Sequence, residues 1–115
     1  MENIKFTHYG EVRDLNATDE EKEIFLAICE IVSEAGQDPN LIEFCRKSDS
    51  YVTASMGHHD IARFKFTPRA KWVQLPYSAD ERGKRPIEAP ADVRQWSQLV
   101  IAHYHLAYAN KLLGY

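Results

Sequence analysis

Histidine, carboxylate and thiol are the side chains most able to do chemistry, and in this chain they fall into three groups. His58-His59-Asp60 sits between two apolar runs, His103-Tyr104-His105 lies in the last apolar stretch, and Cys29 and Cys45 are isolated. Adjacent histidines in a turn can share one metal ion, and a histidine beside an aspartate can serve as an acid–base pair. No sequence signature supplies a third ligand, or a nucleophile with its activating base, and no glycine-rich phosphate cradle is present. His103 and His105 are two apart, so on a helix they point about 200° away from each other and cannot grip one ion together. Two thiols without further ligands do not make a zinc site, and both cysteines are expected to be reduced and packed. Neither a metal nor a cofactor is expected, and binding is favoured over catalysis.

A different chemistry is written between Ile61 and Arg85. Seven bases (Arg63, Lys65, Arg69, Lys71, Arg82, Lys84, Arg85) stand there against Asp80 and Glu81. Along an extended segment Ala62, Phe64 and Phe66 share one side while Ile61, Arg63 and Lys65 share the other. If Tyr51 and Trp72 join the second side, it becomes a platform of rings and cations able to stack bases and contact phosphates. The residues expected to bind are therefore Tyr51, Arg63, Lys65, Arg69, Lys71 and Trp72, with nucleic acid or another phosphate-bearing molecule as the partner. The competing arrangement lays the terminal helix over this face, makes Trp72 a core anchor, and pairs the bases with an acidic first helix.

Charge is divided along the chain in the same sense. Residues 1 to 50 carry 12 acids and 5 bases, and residues 51 to 115 carry 5 acids and 9 bases, for a net charge of −3 overall. A small protein-binding adaptor or inhibitor is the alternative, acting through the apolar C-terminal helix or through a helix with Asp19, Glu20, Glu21 and Glu23 in its opening turns, whose acidic surface could imitate nucleic acid.

The elements that must position these groups follow from capping signals and periodicity. Ile4 to His8 alternates as a short edge strand would. Thr18-Asp19-Glu20-Glu21 is a capping box, the apolar face Ile24, Ile28, Ile31 and Ala35 follows, and Gly36 ends the helix, giving a span of about 18 to 35. Asp38-Pro39 reads as an N-cap with proline at the first helical position, and Leu41, Ile42 and Cys45 as the apolar side of a short second helix. Three strands are expected next, at about 51–56, 60–66 and 71–76, separated by turns at Gly57 and Pro68. Ser78 to Pro90 reads as a polar connecting loop. Asp92 with Gln95 opens a last helix reaching about Leu113.

That last helix is apolar on more than one side. Leu99, Ala102, Leu106, Ala109 and Leu113 recur in alternating three- and four-residue steps, the spacing of a seam between paired helices. Trp96, Leu99, Ala102, His103, Leu106, Ala109 and Leu113 are accordingly expected at an interface, with a homodimer as the simplest assembly.

The expected fold is a single α+β domain over residues 1–115: an N-terminal helical hairpin, a three-stranded antiparallel meander, and a long C-terminal helix packed on the sheet. The longest apolar run, Leu99 to Ala109, falls short of the roughly 20 residues a membrane span needs. The N-terminal residues do not read as a secretory signal, and the expectation is a cytoplasmic protein.

Overall fold

The computed structural model describes residues 7–8, 11–12, 17–48, 51–57, 59–75 and 84–114. Two short strands, β1 (Thr7–His8) and β2 (Glu11–Val12), pair antiparallel ahead of helix α1 (Asp19–Glu34). A 3-10 turn at Pro39–Leu41 leads into β3 (Glu43–Ser48), followed by β4 (Tyr51–Met56), β5 (His59–Phe66), β6 (Lys71–Gln74) and β7 (Arg85–Pro86). A 3-10 helix, Pro90–Trp96, then runs into α2 (Ser97–Leu112). Strands β3 to β7 form one antiparallel sheet in chain order. The expected meander of three strands is therefore the middle of a sheet of five.

The capping box forms as its spacing requires. Thr18 Oγ1 accepts from the Glu21 amide at 3.1 Å, and Glu21 Oε1 accepts from the Thr18 amide at 2.9 Å. Gly36 adopts φ +82°, a left-handed conformation that a side chain opposes, and closes α1. The expected second helix is replaced by β3. Ile42 and Phe44 are buried while Glu43 between them is half-exposed, a period of two that wins over the helical spacing of Leu41, Ile42 and Cys45. Proline at 39 does begin helical backbone, but it lasts one 3-10 turn.

Both helices lie on one face of the sheet and share one apolar cluster with it. Ile24, Phe25 and Ile28 of α1 and Val100, Tyr104 and Ala107 of α2 meet Phe44, Val52, Ala62 and Phe64. The Phe44 ring lies 4.7 Å from Phe25 and 5.9 Å from Phe64, centroid to centroid. The Tyr104 hydroxyl donates to the Asp38 carbonyl at 3.0 Å and fastens α2 to the loop after α1. No helix among the described residues is long and apolar enough to cross a membrane.

A β-bulge decides what the opposite face of the sheet presents. Ala54 pairs with Ala62, but Ser55 pairs with Asp60, so Ile61 is the extra residue. A bulge turns two successive side chains to one side. Ile61 and Ala62 accordingly both enter the core, and Asp60 comes onto the same outer face as Arg63. Simple alternation, which sets Ile61 beside Arg63 and Lys65, holds only on one side of that bulge.

Candidate binding face of the sheet

Register carries the expected rings and cations to the outer face. Thr53 pairs with Arg63, Arg63 with Gln74, and Lys65 with Trp72, and directly paired residues project to the same side. Tyr51 is two residues before Thr53 and shares its side. The Arg63 guanidinium carbon lies 5.8 Å from the centre of the Tyr51 ring. Tyr51 and Trp72 are 6.1 Å apart with their planes tilted by 60°. Lys84, one residue before β7, completes the group with its ammonium 4.4 Å over the Trp72 ring. Cations at these separations are attracted by the negative ring faces.

Tyr51, Arg63, Lys65 and Trp72 thus come together, and Lys84 joins them. The other two expected members stand apart. Lys71 pairs with Phe66 and extends over that ring at 5.1 Å, so it belongs to the helix side of the sheet. Arg69 is exposed in the β5–β6 turn, whose geometry is set by Thr67 Oγ1 accepting from the amides of Arg69 and Ala70. Arg85 likewise faces the helices, 5.2 Å from the Trp96 ring. Lys84 is absent from the residues expected to bind because only the pairing between strands decides which of the adjacent bases Lys84 and Arg85 reaches Trp72.

The floor of this face is polar and covered. Thr53 and Ser55 are fully buried, and Thr53 Oγ1 donates to the Cys45 carbonyl at 3.3 Å. Asp60 is buried too, and its Oδ2 accepts from Arg63 Nε at 2.8 Å. Trp72 is 8% exposed, so it is a packed anchor beneath Lys84 rather than an open ring. Tyr51 is half-buried and is the ring with free area. The terminal helix does not cover this face: it packs on the opposite one. The α1 carboxylates Glu30 and Glu34 bond Arg94, at 3.1 and 2.9 Å, rather than cations of the sheet.

The remaining chemistry-bearing groups are accounted for one by one. His58 lies outside the described residues, His59 is half-buried and pairs across the strands with Met56, and Asp60 is engaged with Arg63. Among the described residues no three of His, Cys, Asp or Glu are placed to hold a metal ion. His103 is buried in the domain itself, and its Nδ1 is 2.7 Å from the Leu99 carbonyl, which makes Nδ1 the protonated nitrogen. His105 is exposed on the other side of α2. Both cysteines are buried thiols outside any disulfide, and Cys45 Sγ accepts from the Ser55 hydroxyl at 3.5 Å. Burial, with Glu30 adding to it, pushes the Cys29 thiol up to about 12, which suppresses thiolate chemistry there. Of the acids that open α1, Glu21 is turned inward, while Asp19, Glu20 and Glu23 remain on the surface.

Comparison of the chain with known protein families, with curated proteins and with solved structures finds no match.

Proposed function

We propose that this α+β domain is a non-catalytic binding protein whose outer sheet face engages nucleic acid or another phosphate-bearing partner. The observation that carries the reading is the single array in which Arg63 lies over Tyr51 and Lys84 over Trp72, with Lys65 paired across the strands to Trp72. Tyr51 provides the accessible ring for stacking a base, Trp72 the packed support beneath, and Lys65, Lys84 and Arg63 the contacts to phosphate. Stacking of this kind is worth roughly 1 to 3 kcal/mol per base, and its tolerance of sequence suits single strands. Exposed Asp19, Glu20, Glu23, Glu30 and Glu34 sit on the helix layer, so an anionic partner is repelled there and drawn to the sheet.

Fluorescence anisotropy with short single-stranded DNA and RNA tests this directly. A Lys65→Ala/Lys84→Ala variant and a Tyr51→Ala variant are each expected to lose most of the wild-type affinity while keeping the wild-type circular dichroism. Equal binding by all three proteins would remove this face from consideration.

A second reading, a protein-binding module, is favoured by one specific observation. The exposed large apolar side chains among the described residues, Leu106, Tyr108, Leu112 and Leu113, all lie on α2 or its C-cap. Exposed apolar side chains gathered on one element are what a partner surface covers.

A further inference from the structure

We infer that α2 pairs antiparallel with α2 of a second copy of this chain, a proposal that names the partner in the protein-binding reading and does not depend on the sheet face. The seam residues lie where the domain leaves them accessible. Ala102 and Ala109 are exposed, Leu106 and Leu113 are 50% and 71% exposed, and Leu99 is half-buried at the edge of the core. The buried stripe of the same helix, Val100, His103, Tyr104 and Ala107, faces the sheet.

Three properties of the seam point to a copy of itself. Its large and small residues alternate, Leu99, Ala102, Leu106, Ala109. In an antiparallel pair with Ala102 of one copy opposite Leu106 of the other, Leu99 falls opposite Ala109. Leu99 and Leu106 then each meet an alanine, these four contacts recur under one two-fold axis, and the small residues let the helices approach closely, while Leu113 lies beyond the paired layers. A parallel pair would set Leu106 against Leu106 and Ala102 against Ala102, leaving alternate layers crowded and empty. Second, between Arg94 and Lys111 the chain has no Asp, Glu, Lys or Arg. An interface made from this surface strands no charge against an identical neutral surface, whereas a charged partner would bury ions without counterparts. Third, a helix of 16 residues is about 24 Å long, and two such helices in contact bury on the order of 1,000 Å², the lower bound for a specific interface. The dimer is accordingly expected to be reversible and dependent on concentration.

His103 has a defined place in this arrangement. It is 2% exposed, and its bond to the Leu99 carbonyl steadies the helix behind the seam rather than in it.

Light scattering and sedimentation equilibrium on the full chain, from low micromolar to near-millimolar concentration, decide the matter. The expected result is a species of twice the 13.3 kDa chain mass that dissociates on dilution. Leu106→Ser removes two leucines from the shared surface and is expected to raise the dimer Kd about a hundredfold. Ala102→Trp, which fills the space a leucine must enter, is expected to abolish pairing although it adds apolar area. Ala109→Trp, at an exposed position opposite Leu99 in the same register, repeats the test should either variant alter the circular dichroism. A monomer throughout the range overturns the proposal, as does a dimer indifferent to these substitutions. Tighter association of Ala102→Trp also overturns it, because that outcome marks a merely adhesive patch.

Discussion

The amide of Phe66 donates a 2.9 Å hydrogen bond to Glu21 Oε2, tying the last residue of β5 to the first turn of α1 across 45 positions. The other oxygen of the same carboxylate accepts from the Thr18 amide, and the Thr18 hydroxyl donates to the Phe66 carbonyl at 2.8 Å. One helix cap thus also terminates a strand, and the two layers are held in register by it. Glu21→Ala leaves the buried Phe66 amide and the part-buried Thr18 amide without their acceptor and is expected to cost about 2 to 4 kcal/mol of unfolding free energy. Urea denaturation measures it; a loss below about 0.5 kcal/mol, the range of an ordinary surface change, would mean the clamp is dispensable.

Arg63 has a structural duty as well as a proposed binding one. Its bond to the buried Asp60 holds the bulge that turns Ile61 inward. Arg63→Ala is therefore expected to destabilise the fold by about 2 kcal/mol, the scale of a hydrogen bond to a charged group. Lys65→Ala should remain within about 0.5 kcal/mol of wild type. Thermal melts of the two variants side by side would show this difference, and equal melting temperatures would contradict it.

Alkaline stability follows from Cys29. Its folded-state value of about 12, raised by burial from 9.0, means that the folded protein holds this proton more tightly than the unfolded chain. The stability it contributes is complete below about pH 9 and is lost as pH rises from there through about 12. Burial also raises the Tyr104 hydroxyl, which adds to the loss in the same direction. Unfolding free energy measured between about pH 8 and 11 is expected to fall, and Cys29→Ala to fall less steeply. An identical slope in the variant would rule Cys29 out as a source.

Tyr104→Phe keeps the ring in the core and removes the donor to the Asp38 carbonyl. The expected cost is about 1 kcal/mol, the net value of one hydrogen bond, read from chemical denaturation. A variant as stable as wild type would show that water replaces the tyrosine at this carbonyl.

Much of this architecture is legible in the residues. The capping box at Thr18, the left-handed Gly36, the strand from Tyr51 to Met56 and the helix over the sheet follow from local chemistry that packing does not override. The expected second helix fails at Phe44. Leu41, Ile42 and Cys45 suit a helix, yet Ile42 and Phe44 flanking Glu43 suit a strand equally well, and only the open edge of β4 settles which is formed. The candidate face was half legible for a related reason. Alternation assigns Arg63 and Lys65 correctly, but the bulge at Ile61, the turn of Lys71 toward the helices and the approach of Lys84 to Trp72 depend on pairing between strands, which no single strand encodes.

The most direct test of the proposed sheet-face function is anisotropy of a labelled single-stranded oligonucleotide titrated with the wild-type protein from about 50 to 200 mM salt. With Lys65 and Lys84 each neutralising one phosphate, and the Arg63 charge already matched by Asp60, log K should fall against log salt with a slope of about −1.4. A protein that leaves the oligonucleotide's anisotropy unchanged at the lowest salt, or binds it with no salt dependence, would contradict the role assigned to this face.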